Sequence, residues 1–283
     1  MNSAERRVNS AGTVPSAAPV IAVLGLGEAG SLIARDLITA GAVVRGFDPA
    51  VSQLMGATAA EGFFGAGSDA EACAGAHLVL SVNSAKEAVA ALRMSLDAVR
   101  PRGDKPGTVW ADLNTASPGV KRELAELGKA HGIPVTDVAM MAPVPGKGLR
   151  VPMLASGDGA DAVAATLQAL GADIEVLDGP AGLAATRKLL RSVFYKGMAA
   201  SIVEAIEAAR AVGLEDWLHD HIAEELGKAD ARTVDRIVTG TRRHAVRRGA
   251  EMGAAATMLT ELGVPPIMAD ASRQLHERLA DNG

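Results

Sequence analysis

The sequence predicts an α/β fold, an N-terminal doubly wound domain followed by an all-α C-terminal domain. Three observations predict it. Short apolar runs alternate with helical segments up to about residue 180. A glycine-rich turn, Gly25-Leu26-Gly27-Glu28-Ala29-Gly30, joins the first apolar run to the first helix, and beyond residue 180 the periodicity is helical only. The expected division is a disordered tail at 1–19, a doubly wound domain at 20–180 and a helical domain at 181–283.

Taken in order, the stretch "MNSAERRVNSAGTVPSAAP" holds no apolar core and reads as a tail, not as a secretory signal. "VIAVL" at 20 to 24 is a continuous apolar run, as expected of a parallel strand covered on both faces. The turn at 25 to 30, the helical "SLIARDLITAGA" and a second strand, "VVRGFD", follow. Further strands read at 76 to 82, 107 to 113 and 133 to 140, then in "MLASG" and "DIEVLD", with helical segments between most of them. From there to the end, Gly213, Gly227, Gly240 and "GVPP" at 263 to 266 punctuate helices.

Composition removes several function classes. The chain of 283 residues carries a net charge of -5 and only 2% aromatic residues. It therefore has neither the basic footprint nor the stacking platforms of a nucleic-acid binder, and no charge attraction to an anionic membrane. No apolar run is long enough to span a bilayer. Cys73 is the only cysteine, so the monomer holds no internal disulfide and no cysteine metal cluster. Its place in "SDAEACAGA" points to a buried, inert thiol on a helix. A reducing cytoplasm is the expected location, and no metal is expected.

The glycine turn is the first motif that carries chemistry. Gly25 permits a tight turn, Gly27 lets backbone amides approach a pyrophosphate, and Gly30 lets the helix pack on the strand. Leu26, Glu28 and Ala29 complete the loop, whose helix N-terminus faces the anion. Asp48 ends the next strand about twenty residues on, where a carboxylate accepts hydrogen bonds from a ribose diol and repels a 2′-phosphate. The whole is a Rossmann dinucleotide fingerprint, with NAD favoured and NADP not excluded; the bland alternative makes Asp48 a turn residue before Pro49. Arg45 reads as surface.

Three further motifs carry a family resemblance. "DLNTASP" at 112 to 118 is similar to "DSSTIDP", "DVAMMAP" at 137 to 143 occupies the place of "DAPVSGG", and "GPAGLAATRK" at 179 to 188 is similar to "GxxGxGxxxK". With the fingerprint, these make the chain resemble the β-hydroxyacid dehydrogenases, the group of 3-hydroxyisobutyrate and 6-phosphogluconate dehydrogenases, in the branch with a C-terminal domain of unknown function 1932. The resemblance spans nearly everything after residue 19. It implies that Lys188 is the catalytic residue, that Thr115 contacts cofactor and substrate, and that Val82 and Asn83 border the nicotinamide ribose. The alternative for Asn114 and Thr115 is to cap the helix that begins near Pro118.

The chain also departs from the family. Ser192 stands where relatives have a substrate-orienting asparagine, one helical turn after the lysine. Aligned without gaps, Met141-Ala142-Pro143 replaces a substrate-binding Ser-Gly-Gly; a gapped alternative sets "APVPGK" at 142 to 147 against "APVSGG". In either alignment the loop lines the pocket. Met140, Met141 and Ala142 then form an apolar wall, unless the methionines simply belong to the core. Ala250 takes the place of a second family lysine, and Arg247 or Arg248 is either an anion clamp or part of a solvated helix face.

The implied chemistry is hydride transfer between a nicotinamide cofactor and a hydroxy acid or related alcohol, a small-molecule substrate. An ordinary lysine, with a pKa of about 10.4, is protonated at neutral pH. Leu189, Leu190 and the cations Arg187 and Arg191 are expected to lower that of Lys188. The alternatives are an imine reductase, which needs no base for a hydroxyl, and a non-catalytic NAD-binding regulator. A homodimer is expected, formed through "MAASIVEAIEAA" at 198 to 209, whose small residues permit close helix contact.

Overall fold

The first apolar run forms β1 (Val20–Leu24), which pairs in parallel with β2 (Val43–Phe47) on one side and β4 (Leu78–Ser81) on the other. The structure, a computed structural model, describes residues 18–50, 61–101 and 107–281. Of the expected tail only Ala18 and Pro19 fall within them. The remaining strands are β3 (Phe63–Gly65), β5 (Val109–Asp112), β6 (Val135–Met140), β7 (Met153–Ser156) and β8 (Ile174–Val176). One sheet results, in the order β3-β2-β1-β4-β5-β6-β7-β8.

Alternation along β1 explains why helices cover both faces. Ile21 and Val23 enter one cluster with Ile33 and Leu37 of α1 (Glu28–Thr39) and Val163 and Leu167 of α5 (Ala160–Ala169). Ala22 and Leu24 enter another with Cys73 of α2 (Asp69–Cys73), Leu92 of α3 (Ala88–Val99) and Leu124 of α4 (Pro118–Ala130). Each fully buried aliphatic side chain contributes about 1.5–3 kcal/mol, so a strand buried on both faces anchors the sheet.

Two elements differ from the expectation of a uniform doubly wound sheet. β7 runs antiparallel to β6, with Met140 opposite Met153 and Asp137 opposite Ser156. A parallel return needs a crossover, usually a helix, and the connection here carries Pro143, Pro145, Pro152 and a single three-residue turn of 3-10 helix at Gly148–Arg150. β3, a three-residue edge strand, is too short to leave an alternating pattern.

Two compact units divide between Leu190 and Arg191, inside α6 (Leu183–Ala211). The second unit also contains α7 (Glu215–Gly227), α8 (Ala231–Arg243), α9 (Ala245–Glu261) and α10 (Ile267–Asp281). Ala208, Ala256, Leu259 and Ala269 form its buried cluster. The Glu204 carboxylate accepts the amides of Met268 and Ala269 at 2.7 and 2.8 Å, capping α10 from α6. Among the described residues no helix is long and apolar enough to cross a membrane, and no cluster of His, Cys, Asp or Glu side chains could hold a metal ion.

Cys73 is fully buried, and burial above all pushes its thiol from 9.0 up to about 12. The native thiol is therefore expected to stay silent to an aromatic disulfide reagent at pH 8 until the chain unfolds, read as absorbance against denaturant. Because the unfolded thiol ionises first, this group removes stability as pH rises from about 9 towards 12, which denaturant midpoints across that range will register.

Candidate functional site

The strand order reverses between β1 and β4, and the glycine turn lies at their carboxyl ends, where open α/β sheets bind ligands. Gly25 has φ +95°, and a Cβ there would lie 2.6 Å from the Val82 carbonyl oxygen and 2.7 Å from Asn83. A Cβ on Gly30 would sit 1.9 Å from the Gly25 oxygen. Both glycines are demanded by chain packing on chain. Gly27 is different, because a Cβ there meets nothing within 4 Å. It is also the N-cap of α1 and offers no side chain to the first-turn amides. An open cradle of backbone donors at a helix N-terminus fits a pyrophosphate. Glu28 is exposed and Ala29 half-buried.

Asp48 sits just past β2 and does two local jobs. Its Oδ2 accepts the Leu26 amide and its Oδ1 accepts the Ala50 amide, both at 2.8 Å. The first bond ties the carboxylate to the glycine turn, and each oxygen keeps a second lone pair. Arg45 donates to the Ala74 carbonyl at 2.6 Å, away from this crevice.

Next to the turn runs a row of buried polar residues that the sequence analysis did not single out. Ser81, Asp112, Asp137 and Ser156 occupy one register level across β4, β5, β6 and β7, all of them buried. Asp112 and Asp137 are direct neighbours, and two like charges side by side repel. Lys121, on α4 and only 1% exposed, lies between them. Its Nζ donates to Asp112 Oδ2 at 2.6 Å and to the Asp112 carbonyl at 2.8 Å, and it stands 3.1 Å from Asp137 Oδ1. Breaking such a buried ion pair costs about 3–5 kcal/mol.

Each end of the row reaches a candidate residue. Asn114 Nδ2 approaches Asp112 Oδ1 at 2.6 Å, Asn83 Oδ1 at 2.8 Å and Ser81 Oγ at 3.0 Å, its two hydrogens shared among three acceptors. At the other end Asp137 Oδ2 accepts the amides of Gly182 and Ala185 at 3.0 and 2.8 Å, and Ser156 Oγ accepts that of Ala184 at 3.1 Å. The first turn of α6 is thus capped from two strands. One turn on, Lys188 Nζ donates to Thr115 Oγ1 at 2.8 Å.

The other candidates are distributed around this core. Ser117, not Asn114 or Thr115, caps α4, its Oγ accepting the Val120 amide. Met140 and Ala142 pack at the edge of the main cluster, while Met141 packs beside Ala139, Leu177 and Ala184, on the face of α6 that bears Lys188. Of the neighbours expected to desolvate the lysine, Leu189 is half-buried but Leu190 is 65% exposed. Arg187 faces Glu175, since residues one or two steps away on a helix point elsewhere. Ser192, Arg247 and Arg248 belong to the second unit, where Arg247 pairs with Glu251 and Arg248 donates to Thr241 at 2.7 Å.

Residues 20–176 match the family model described as the NAD binding domain of 6-phosphogluconate dehydrogenase. The chain belongs to the 6-phosphogluconate dehydrogenase-like β-hydroxyacid dehydrogenases. Residues 209–279 of this β-hydroxyacid dehydrogenase homologue match a domain of unknown function, DUF1932. A probable 3-hydroxyisobutyrate dehydrogenase from Mycobacterium tuberculosis is 33% identical over 202 residues, 69% of this chain and 65% of that protein. The match therefore covers just under two thirds of that relative. A conserved hypothetical protein from Sinorhizobium meliloti 1021 is 30% identical with a TM-score of 0.60, over 92% of this chain and 87% of that one. An imine reductase from Myxococcus stipitatus, solved with NADP+, has a TM-score of 0.74 at 19% identity, over 94% and 95% of the two chains, and shares the fold.

In this β-hydroxyacid dehydrogenase homologue the turn glycines separate by experiment. Gly27→Ala is expected to keep the parent's unfolding temperature while weakening NADH binding by about tenfold or more. Gly30→Ala should lower both, because its Cβ meets a backbone atom. Thermal scans and NADH fluorescence titrations of the two variants check this.

Proposed function

We propose that the chain is an oxidoreductase moving a hydride between a nicotinamide cofactor and a hydroxy acid or related alcohol, with Lys188 as general acid and base. The observation that carries this reading is the 2.8 Å hydrogen bond from Lys188 to the Thr115 hydroxyl. A threonine hydroxyl is itself a secondary alcohol, the kind of group a substrate would present. It lies just past β5, next in sequence to Asn114, whose side-chain amide donates to Asn83 Oδ1 at 2.8 Å.

The nicotinamide, when bound, accepts or supplies the hydride. In oxidation the alcohol carbon gives up its hydrogen with the bonding pair to the nicotinamide, the hydroxyl proton passes to the unprotonated amine of Lys188, and a carbonyl forms. In reduction the Lys188 ammonium returns that proton to the oxygen. Thr115 orients the substrate, and Met140, Met141 and Ala142 give its pocket an apolar wall; for Ser192, in the second unit, an orienting role rests on the family resemblance alone. Arg247 and Arg248 are candidates for an anionic group on the substrate. Val82, Asn83 and Asn114 line the cofactor side. Asp48, with lone pairs left for a ribose diol, supports NAD over NADP.

The second unit supports a homodimer. Val193, Phe194, Tyr195 and Val203 on α6, with Val234 and Ile237 on α8, are all exposed, apolar side chains that a second copy of the chain would cover.

Lys188→Ala should slow turnover by about a hundredfold to ten-thousandfold with NADH binding near that of the parent. Lys188→Arg should be inactive in oxidation, since arginine keeps its proton. The assay follows NADH absorbance across 3-hydroxyisobutyrate, glycerate, threonate and 6-phosphogluconate. An active Lys188→Ala protein would remove the lysine from the mechanism and favour imine reduction, whereas a parent with no turnover on any of these substrates would favour cofactor binding alone. NAD should outperform NADP in paired runs, and 3-hydroxyisobutyrate should turn over poorly beside substrates with a bulkier apolar arm. Light scattering at micromolar concentration should give the mass of a dimer.

A further inference from the structure

We infer that Lys121 is a positioning residue: it clamps the two elements that carry the ends of the Lys188–Thr115 contact. The inference rests on the reading of Lys188 as the acid–base group. Asp112, to which Lys121 donates twice, lies three residues before Thr115. Asp137, its other carboxylate, holds the amides of Gly182 and Ala185, and Ala185 lies three residues before Lys188. One buried ammonium therefore ties the end of β5 to the first turn of α6.

The surrounding chain leaves this clamp little slack. Gly182 has φ +102°, and a Cβ on it would come within 3.0 Å of the Pro118 carbonyl oxygen, so the first turns of α4 and α6 abut. Lys121 reaches the carboxylates from that same stretch of α4. Two carboxylates face one ammonium, and the remaining negative charge of Asp137 lies on the amide end of α6, where a helix favours it. A buried ion cluster often adds little stability over an apolar filling of the same volume, and in some proteins it serves to fix geometry. Registry between Thr115 and Lys188 is the geometry at stake here.

The test compares the parent with Lys121→Met and with Lys121→Met/Asp112→Asn, the latter removing one charge of each sign so that the fold carries no extra unpaired carboxylate. Two readouts work without a substrate. Hydrogen exchange, resolved by peptide mass spectrometry, should quicken over residues 180–190 and stay at the parental rate over β1 and α1. Acetic anhydride labelling at pH 8 should rise severalfold at Lys188 and remain unchanged at Lys86, Lys147 and Lys228. If Lys121 matters for stability alone, the charge-balanced variant regains parental exchange and labelling, and the inference is overturned. The same holds if either folded variant matches the parent in both readouts. A fully active Lys188→Ala protein would count against the acid–base reading, and the exchange data would still report on the clamp.

Discussion

Two ionised aspartates at one level of a buried sheet need a cation between them, and much of this site follows from that constraint. Asp112 and Asp137 need Lys121, and Lys121 brings α4 beneath the ends of β5 and β6. Each carboxylate then has an oxygen left over. Asp112 offers it to the Asn114 amide, and Asp137 offers it to the start of α6. Ser81 and Ser156 extend the row at both ends. A line of polar groups across four strands is thereby paired with neighbours that themselves lie at the candidate site, by hydrogen bonds except at Asp137 Oδ1, which meets the Lys121 ammonium as an ion pair alone.

The two helix starts that matter here are treated in opposite ways. The amides of α1 emerge beside Gly27 with no side chain among the described residues to cap them. Those of α6 are taken up by Asp137 and Ser156. Both helices have the same positive end. The first is left open to solvent and to a ligand's negative charge, and the second is spent on holding a lysine-bearing helix against the sheet. The family of NAD-binding oxidoreductases to which the chain belongs uses the first kind of opening for its cofactor.

Local chemistry made the fold legible. Continuous apolar runs mark β1, β4 and β5 because strands buried on both faces leave no polar alternation, and the glycine spacing in the first turn is dictated by contacts a few residues away. The reversal of β7 was not legible, since strand direction depends on what the connection can reach, and β3 is three residues of an edge. The polar row escaped for a related reason. Ser81 and Asp112 are single polar residues inside the strands read at 76 to 82 and 107 to 113, and Ser156 stands just before a glycine, so none of them stands out in sequence. Only the register across strands aligns them. Lys121 looked like any lysine on an amphipathic helix, although a buried carboxylate at the end of a strand with a lysine nine residues later is a signal worth reading. Lys188 was found through its motif, whereas its partner's contact and the caps that hold its helix are long-range facts.

Asp48, proposed above as the residue that binds the cofactor's ribose, also shapes the glycine turn. One of its oxygens holds the Leu26 amide inside the glycine turn, and the other closes the bend at Ala50. For anyone re-engineering the chain towards a phosphorylated dinucleotide, the carboxylate cannot be treated as a detachable specificity label. Trading it for a small neutral group makes room for the extra phosphate and also releases the amide that keeps the turn in shape. A successful redesign has to supply a new acceptor for Leu26 along with a cation for the phosphate, so the change is at least a two-residue problem.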